Sequence, residues 1–245
     1  MSALPMESVE ISSPTPTSKS NAPEPPETTK STYEFPVEEW DEHTKVKYAY
    51  TSEDILRNMN DFTVALPWTY IRKNDGFLPV LFKEKRCIIE TPVSICLFGL
   101  EKYQNPDSRI VKWSLNFSVK TDGNKEMEQF VLAISQLDKF AQQFKVNEKD
   151  KFQTSFQTQR RNKTPTMRIK IPSYKKQLNI KLFIDKDEID FPSIEEFQTY
   201  VRFDTRVSLI LMINNIWLAA NRYGLSYKLL KVRIHDDPTD VQFRG

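Results

Sequence analysis

Apolar and polar residues alternate most cleanly between Val111 and Val119. Val111, Trp113, Leu115, Phe117 and Val119 point one way, and Lys112, Ser114, Asn116 and Ser118 the other. A period of two marks a strand with one buried face. Asp122-Gly123-Asn124 reads as a turn. Met127, Phe130, Val131, Ile134, Leu137, Ala141 and Phe144 then recur at helical spacing. That predicts one amphipathic helix from Glu126 to about Lys145, with Asp122 or Asn124 as its cap. Short strands are expected at Arg86–Glu90 and Val93–Phe98, around Thr91-Pro92, and at Met167–Ile171 and Leu178–Ile184, around Pro172-Ser173. Val207–Leu218 and Leu225–Ile234 read as two closing strands linked through Asn221–Gly224. A short helix is expected at Ser193–Tyr200, with Pro192 at its start and Glu195-Glu196 in its first turn. The fold class is therefore mainly β (α+β), a small barrel or an α+β domain with one good helix. A parallel α/β fold would need a helix after nearly every strand.

Composition adds a tail. Met1–Thr44 holds seven of the fifteen prolines and little apolar clustering. It carries nine acids against Lys19 and Lys30, a net charge of −7. Such a stretch has too few apolar side chains to offset the entropy of ordering, so residues 1–44 are expected to be a disordered acidic tail. The formal total is +2, which leaves +9 on residues 45–245. The expected organisation is one domain over 45–235 and a short C-terminal tail over 236–245. Cys87 and Cys96 cannot build a disulfide framework and suit a reducing compartment. No secretory signal opens the sequence, and the apolar run Val207–Ala220 is too short and too polar to span a bilayer. A soluble intracellular protein with no membrane partner is expected.

The chemistry of catalysis is poorly supplied. The five glycines are dispersed, which excludes the phosphate-cradling loops of P-loop and dinucleotide folds. A Ser-His or Cys-His pair would have to use His43 or His235, and nothing nearby argues for one. Asp185, Asp187, Glu188 and Asp190 read as an acidic turn, with a metal-dependent nuclease as the competing idea. No enzyme activity and no cofactor are expected.

The charge of the body sits in one segment. Lys151, Arg160, Arg161, Lys163, Arg168, Lys170, Lys175, Lys176 and Lys181 are nine bases in 31 positions without one acid. Phosphate is the usual partner for such a cluster. Phe152, Phe156 and Tyr174 are interleaved with the bases, and aromatic faces stack on bases without reading sequence. On Met167–Ile171 the cations Arg168 and Lys170 fall opposite Met167, Ile169 and Ile171. These twelve residues form the expected nucleic-acid site. A solvated charged face is the plainer alternative, and Phe152 and Phe156, four apart, also suit a helical core pair. The expected partner is single-stranded DNA, with RNA left open.

The order of these pieces also carries a resemblance. Thr91-Pro92 leads a strand ending in Phe98-Gly99, and the Trp113 strand and the helix with Phe130 and Leu137 follow. After the basic stretch come Ile216-Trp217, then Tyr223–Lys228 and a strand to Ile234. Over about Arg72–His235 the chain resembles the single-stranded DNA-binding proteins of large nucleocytoplasmic DNA viruses, which are similar to phage replication proteins. The resemblance implies an OB-like five-stranded barrel binding DNA across one face during viral replication, recombination or repair. It implies a place in the host cytoplasm or nucleus, or in the virion, and replication proteins as partners of the acidic tail. A structural protein holding packaged genome or an acidic partner is the alternative. The resemblance fixes no contact residue; Trp217 and Tyr223 are read as core, with stacking left open.

Overall fold

The computed structural model describes residues 49–72, 75–104, 111–158, 164–174, 177–184, 186–191 and 193–235. The expected tails, 1–44 and 236–245, lie outside them. In chain order the elements are α1 (Ser52–Arg57), a 3₁₀ turn (Met59–Asp61), β1 (Phe62–Val64), β2 (Thr69–Arg72), β3 (Asp75–Phe82), β4 (Cys87–Glu90), β5 (Ser94–Gln104) and β6 (Val111–Ser118). The helix α2 (Lys125–Gln142) follows, then β7 (Lys151–Phe152), β8 (Phe156–Thr158), β9 (Pro165–Ile171), β10 (Ser173–Tyr174), β11 (Gln177–Leu178), β12 (Lys181–Ile184) and β13 (Asp187–Ile189). The chain closes with α3 (Ile194–Tyr200), β14 (Thr205–Ala219) and β15 (Arg222–Ile234).

Five strands form an OB-like barrel in the order β5, β6, β9, β15, β14 and back to β5. All neighbours are antiparallel except β9 and β15, which run parallel through Lys170 and Lys228. Closure rests on Thr205 beside Cys96 and Val207 beside Ser94. The far edge of β14 also carries β4 and β3, and β12 with β13 extends from β15. Alternation explains the interior. Leu115 and Phe117, Met167 and Ile169, Leu209 and Leu211, and Leu229 are all fully buried. The helix closes over them with Met127, Phe130, Ile134 and Leu137, and the Phe117 and Phe130 ring centroids lie 6.3 Å apart.

The helix ends follow their capping chemistry. Asn124 Oδ1 accepts the Met127 N–H at 3.1 Å, and Ser193 Oγ accepts that of Glu196 at 3.1 Å. Both side chains satisfy an N–H that the first turn leaves without a partner. Pro192 lies outside the described residues.

The structure departs from expectation in several places, and Asp187 and Glu188, expected in an acidic turn, belong to β13 and pair with β12. The strand expected over Leu178–Ile184 is split: Leu178 belongs to a small hairpin with β10, and β12 begins at Lys181. The closing hairpin turns at Ala220 and Asn221, whose φ values of 47° and 61° suit a tight two-residue turn. Gly224 therefore belongs to β15 and not to the turn. A Cβ there would stand 2.5 Å from the Gln153 carbonyl oxygen, so glycine serves close packing against the chain after β7. Elements α1 and β1–β3 were not expected at all. In β3 the alternating burial is interrupted in sequence by Pro79, which has no N–H for a ladder and masks the strand signal.

Cys87 and Cys96 are free and buried, and burial pushes their thiols up to about 12 and about 11. Among the described residues no helix is long and apolar enough to cross a membrane.

Candidate nucleic-acid interface

Each barrel strand turns its alternate residues outward. On β9 these are Thr166, Arg168 and Lys170; on β6 they are Lys112, Ser114, Asn116 and Ser118. The register sets Ser114 beside Lys170 and Asn116 beside Arg168. Lys170 in turn lies beside Lys228 of β15, and Lys228 beside Met212 of β14. One row thus runs across the outer face from Ser114 through two lysines to Met212. Lys112 stands one outward position along β6 from Ser114. Arg86, just before β4, donates from Nη1 to the Asn214 carbonyl at 2.8 Å and is close enough to Lys228 to depress its pKa.

The electrostatics of this row are unusual for a surface. The Lys170 ammonium is held below the usual lysine range, first by the protein packed around it, then by Lys112 and Arg168. Lys228 is lowered in the same way, by burial and then by Arg86. Like charges packed together disfavour their own protonation, and an anion laid across them reverses the sign. Among the described residues no acid pairs with Lys170. Beneath the long cations the floor is short and polar: Ser114 is 3% exposed and Asn116 4%. Arg168 Nε donates to Ser114 Oγ at 2.9 Å, so the guanidinium lies across the floor.

The expected site residues are distributed unevenly. Arg168 and Lys170 lie in the row. Lys151 is exposed at the end of β7, beside Arg222. Phe152 and Phe156 are half-buried against the core, Phe152 edge-on to Tyr223 with ring centroids 5.2 Å apart, and Phe156 beside Met167. Both sit on short strands, not on a helix. Lys181 is held by Glu188, 3.1 Å away. Tyr174 contributes backbone to the β10–β11 hairpin. Arg160, Arg161, Lys163, Lys175 and Lys176 lie outside the described residues, as does Asp185 of the acidic cluster.

The segment's freedom from acids does not survive folding. Glu101 of β5 comes to 3.9 Å from Arg168, and Glu188 of β13 takes Lys181. Conversely, Lys112 and Lys228 join the row from outside the segment, which no running charge sum reveals. Tyr223 is buried, its hydroxyl donating to the Gln142 carbonyl at 3.2 Å. Trp217 is half-buried, its Nε1 donating to the Leu225 carbonyl at 3.1 Å.

A second polar network fastens the wall of the barrel. Ser155, between β7 and β8, donates from N and Oγ to Asp138 of α2 at 2.8 and 2.6 Å. The Tyr227 hydroxyl lies 2.8 Å from Ser155 Oγ. Burial raises the Asp138 carboxyl, and the Ser155 hydrogen bonds pull it partly back. The network ties helix, loop and β15 together one residue before Lys228.

No protein-family model matches this sequence, and no curated protein matches it. Among solved structures the chain is similar to the single-stranded DNA-binding protein from bacteriophage Enc34 in complex with ssDNA. The identity is 15%, over 70% of this chain and 96% of that one, with a TM-score of 0.42. A C-terminal truncation of that phage protein gives 15% identity over 71% of this chain and 98% of the other, with a TM-score of 0.43. The single-stranded DNA-binding protein gp2.5 encoded by bacteriophage T7 gives 12%, over 62% and 95%, with a TM-score of 0.41. At those TM-scores the likeness bears no functional weight.

Proposed function

We propose that this protein binds single-stranded DNA without sequence preference, with phosphates lying along the cation row of β6, β9 and β15. The observation that carries the reading is the register that sets Lys170 between Ser114 of β6 and Lys228 of β15, with Arg168 one outward position away on β9. Such a row costs stability in the free protein, and a phosphate chain offsets that cost. Arg168, Lys170, Lys112 and Lys228 are the proposed contacts, with Lys151 and Arg222 continuing the path and Phe152 and Phe156 serving the core. Four phosphate contacts imply an affinity that falls about a hundredfold between 50 and 200 mM salt. Fluorescence anisotropy with an oligo-dT, the matching duplex and the matching RNA across a salt series tests this. The expected result is tighter binding to dT than to duplex, with that salt dependence. Equal binding to dT and duplex, or no binding at low salt, sinks the reading.

The finer role rests on the family resemblance over Arg72–His235. In it the protein supports replication, recombination or repair of the genome of a large DNA virus. The acidic residues 1–44 then compete with DNA for the row or recruit replication proteins. Deleting 1–44 is expected to tighten dT binding at low salt. An unchanged affinity and salt slope would remove the competition from the account.

A further inference from the structure

The sheet ends in two outer edges. At one end β3 carries β1 and β2, and at the other β12 carries β13. Among the described residues β2 pairs only with β3, and β13 only with β12. Each therefore turns a row of backbone N–H and C=O groups away from the sheet. Such a row is a template for a further strand, and folded proteins usually blunt it.

The two edges differ in chemistry. Around β2, Leu66, Tyr70 and Ile71 are 72%, 53% and 71% exposed, three apolar side chains within six residues. Tyr70 is fixed in place. Its ring lies against Gly76, where a Cβ would stand 3.2 Å from Cδ1, and Trp68 stacks on it with ring centroids 6.5 Å apart. Ile71 occupies a bulge between the pairs Tyr70–Gly76 and Arg72–Asp75. Arg72 is exposed and has no ion pair among the described residues. The β13 edge is acidic. Asp187, Glu188 and Asp190 are exposed, with Lys186 the one cation between Asp185 and Asp190. Lys181 takes Glu188, but Asp187 and Asp190 have no ion pair among the described residues.

These differences choose the occupant. Two β2 edges would bring cation to cation, and two β13 edges acid to acid. One edge of each kind brings opposite signs together and covers Tyr70 and Ile71. We propose that β13 of a second copy of this chain docks on the β2 edge, so that the sheet of one molecule continues into the next. Main-chain hydrogen bonds supply the contact, and the charges select the partner. The bulge at Ile71 and the charge of Arg72 keep other strands away. Because the two surfaces differ, the contact is head-to-tail, and repetition builds a ring or an open filament. The strands are short, four residues and three, so the association is weak. The inference concerns the chain without nucleic acid and does not rest on the proposed DNA binding.

The test is sedimentation velocity of the full chain without DNA, from micromolar to near-millimolar, at low and moderate salt. The average mass of the parent should rise with concentration beyond that of a dimer, and less steeply at higher salt. Ile71→Asp and Arg72→Glu should each weaken association by about tenfold, as should Asp187→Lys with Asp190→Lys in one chain. Adding Arg72→Glu to those two lysines reverses both edges and should restore association. Thermal melting checks folding, which substitutions at these exposed positions should leave as in the parent. A parent that stays monomeric overturns the proposal. So does association that Arg72→Glu leaves unchanged, or that the full charge reversal fails to restore.

Discussion

Replacing Lys170 and Lys228 together by glutamate is expected to cut oligo-dT affinity at least about a hundredfold at moderate salt. The log–log salt slope should become shallower by about two, one for each lost phosphate contact. The expectation follows from their adjacency across the parallel β9–β15 pair. Anisotropy across the salt series gives both numbers, and a slope unchanged within error would place the phosphates elsewhere. A milder variant separates binding from folding. In the free protein the Lys170 pKa lies below its ordinary value of 10.5, so its charge opposes folding. The free chain then gains stability as pH rises through the window that ends at 10.5, because the folded state releases that proton first. Lys170→Gln removes this slope. It is expected to raise the melting temperature while weakening dT binding, an exchange of activity for stability. A lower melting temperature would mean that the lysine is not under the strain described.

The largest effect on stability away from the apolar core is expected at Asp138. Asp138→Ala should cost about 2–4 kcal/mol, because the Ser155 N–H and hydroxyl lose their acceptor inside the protein. Asp138→Asn keeps one acceptor oxygen and should lose clearly less. The pH dependence has a definite sign. The folded carboxyl is raised above 3.8, so its contribution is fully present below 3.8 and is lost as pH rises through the folded value. Urea unfolding over a pH series should show this slope in the parent and not in Asp138→Asn. Equal costs for the alanine and asparagine variants would contradict the hydrogen-bonded account.

The parts of the fold legible in sequence are those set by local periodicity. The β6 alternation, the α2 stripe with its Asn124 cap and the two long closing strands depend on neighbours a few residues away. The parallel pairing of β9 with β15 depends on none of these, and neither does the return of β14 to β5. The site divides along the same line. Arg168 and Lys170 could be read because alternation puts both on one face of a single strand. Lys112 and Lys228 could not, because each is an ordinary strand residue until its neighbouring strands arrive beside it. Segment charge misled in the opposite direction, since Glu101 and Glu188 enter the basic region only through folding. Phe152 and Phe156 had the right chemistry for stacking, but β7 and β8 turn both rings onto the core. Gly224 carried a turn signal in sequence, yet its role is to let another backbone pass.

The parallel neighbour of β9 is the last strand, and this orders events during synthesis. Residues 94–171 can pair β5, β6 and β9 as soon as they leave the ribosome, but that sheet has an open edge. Closure waits for β14 and β15, whose partners lie far back in the chain. Contacts of such long range form slowly, because the intervening chain must first be gathered in. Until Lys228 arrives, Lys170 has only Lys112 and Arg168 beside it, and the row across β6, β9 and β15 is incomplete. On the proposed reading, the complete phosphate-binding row exists only once the barrel shuts.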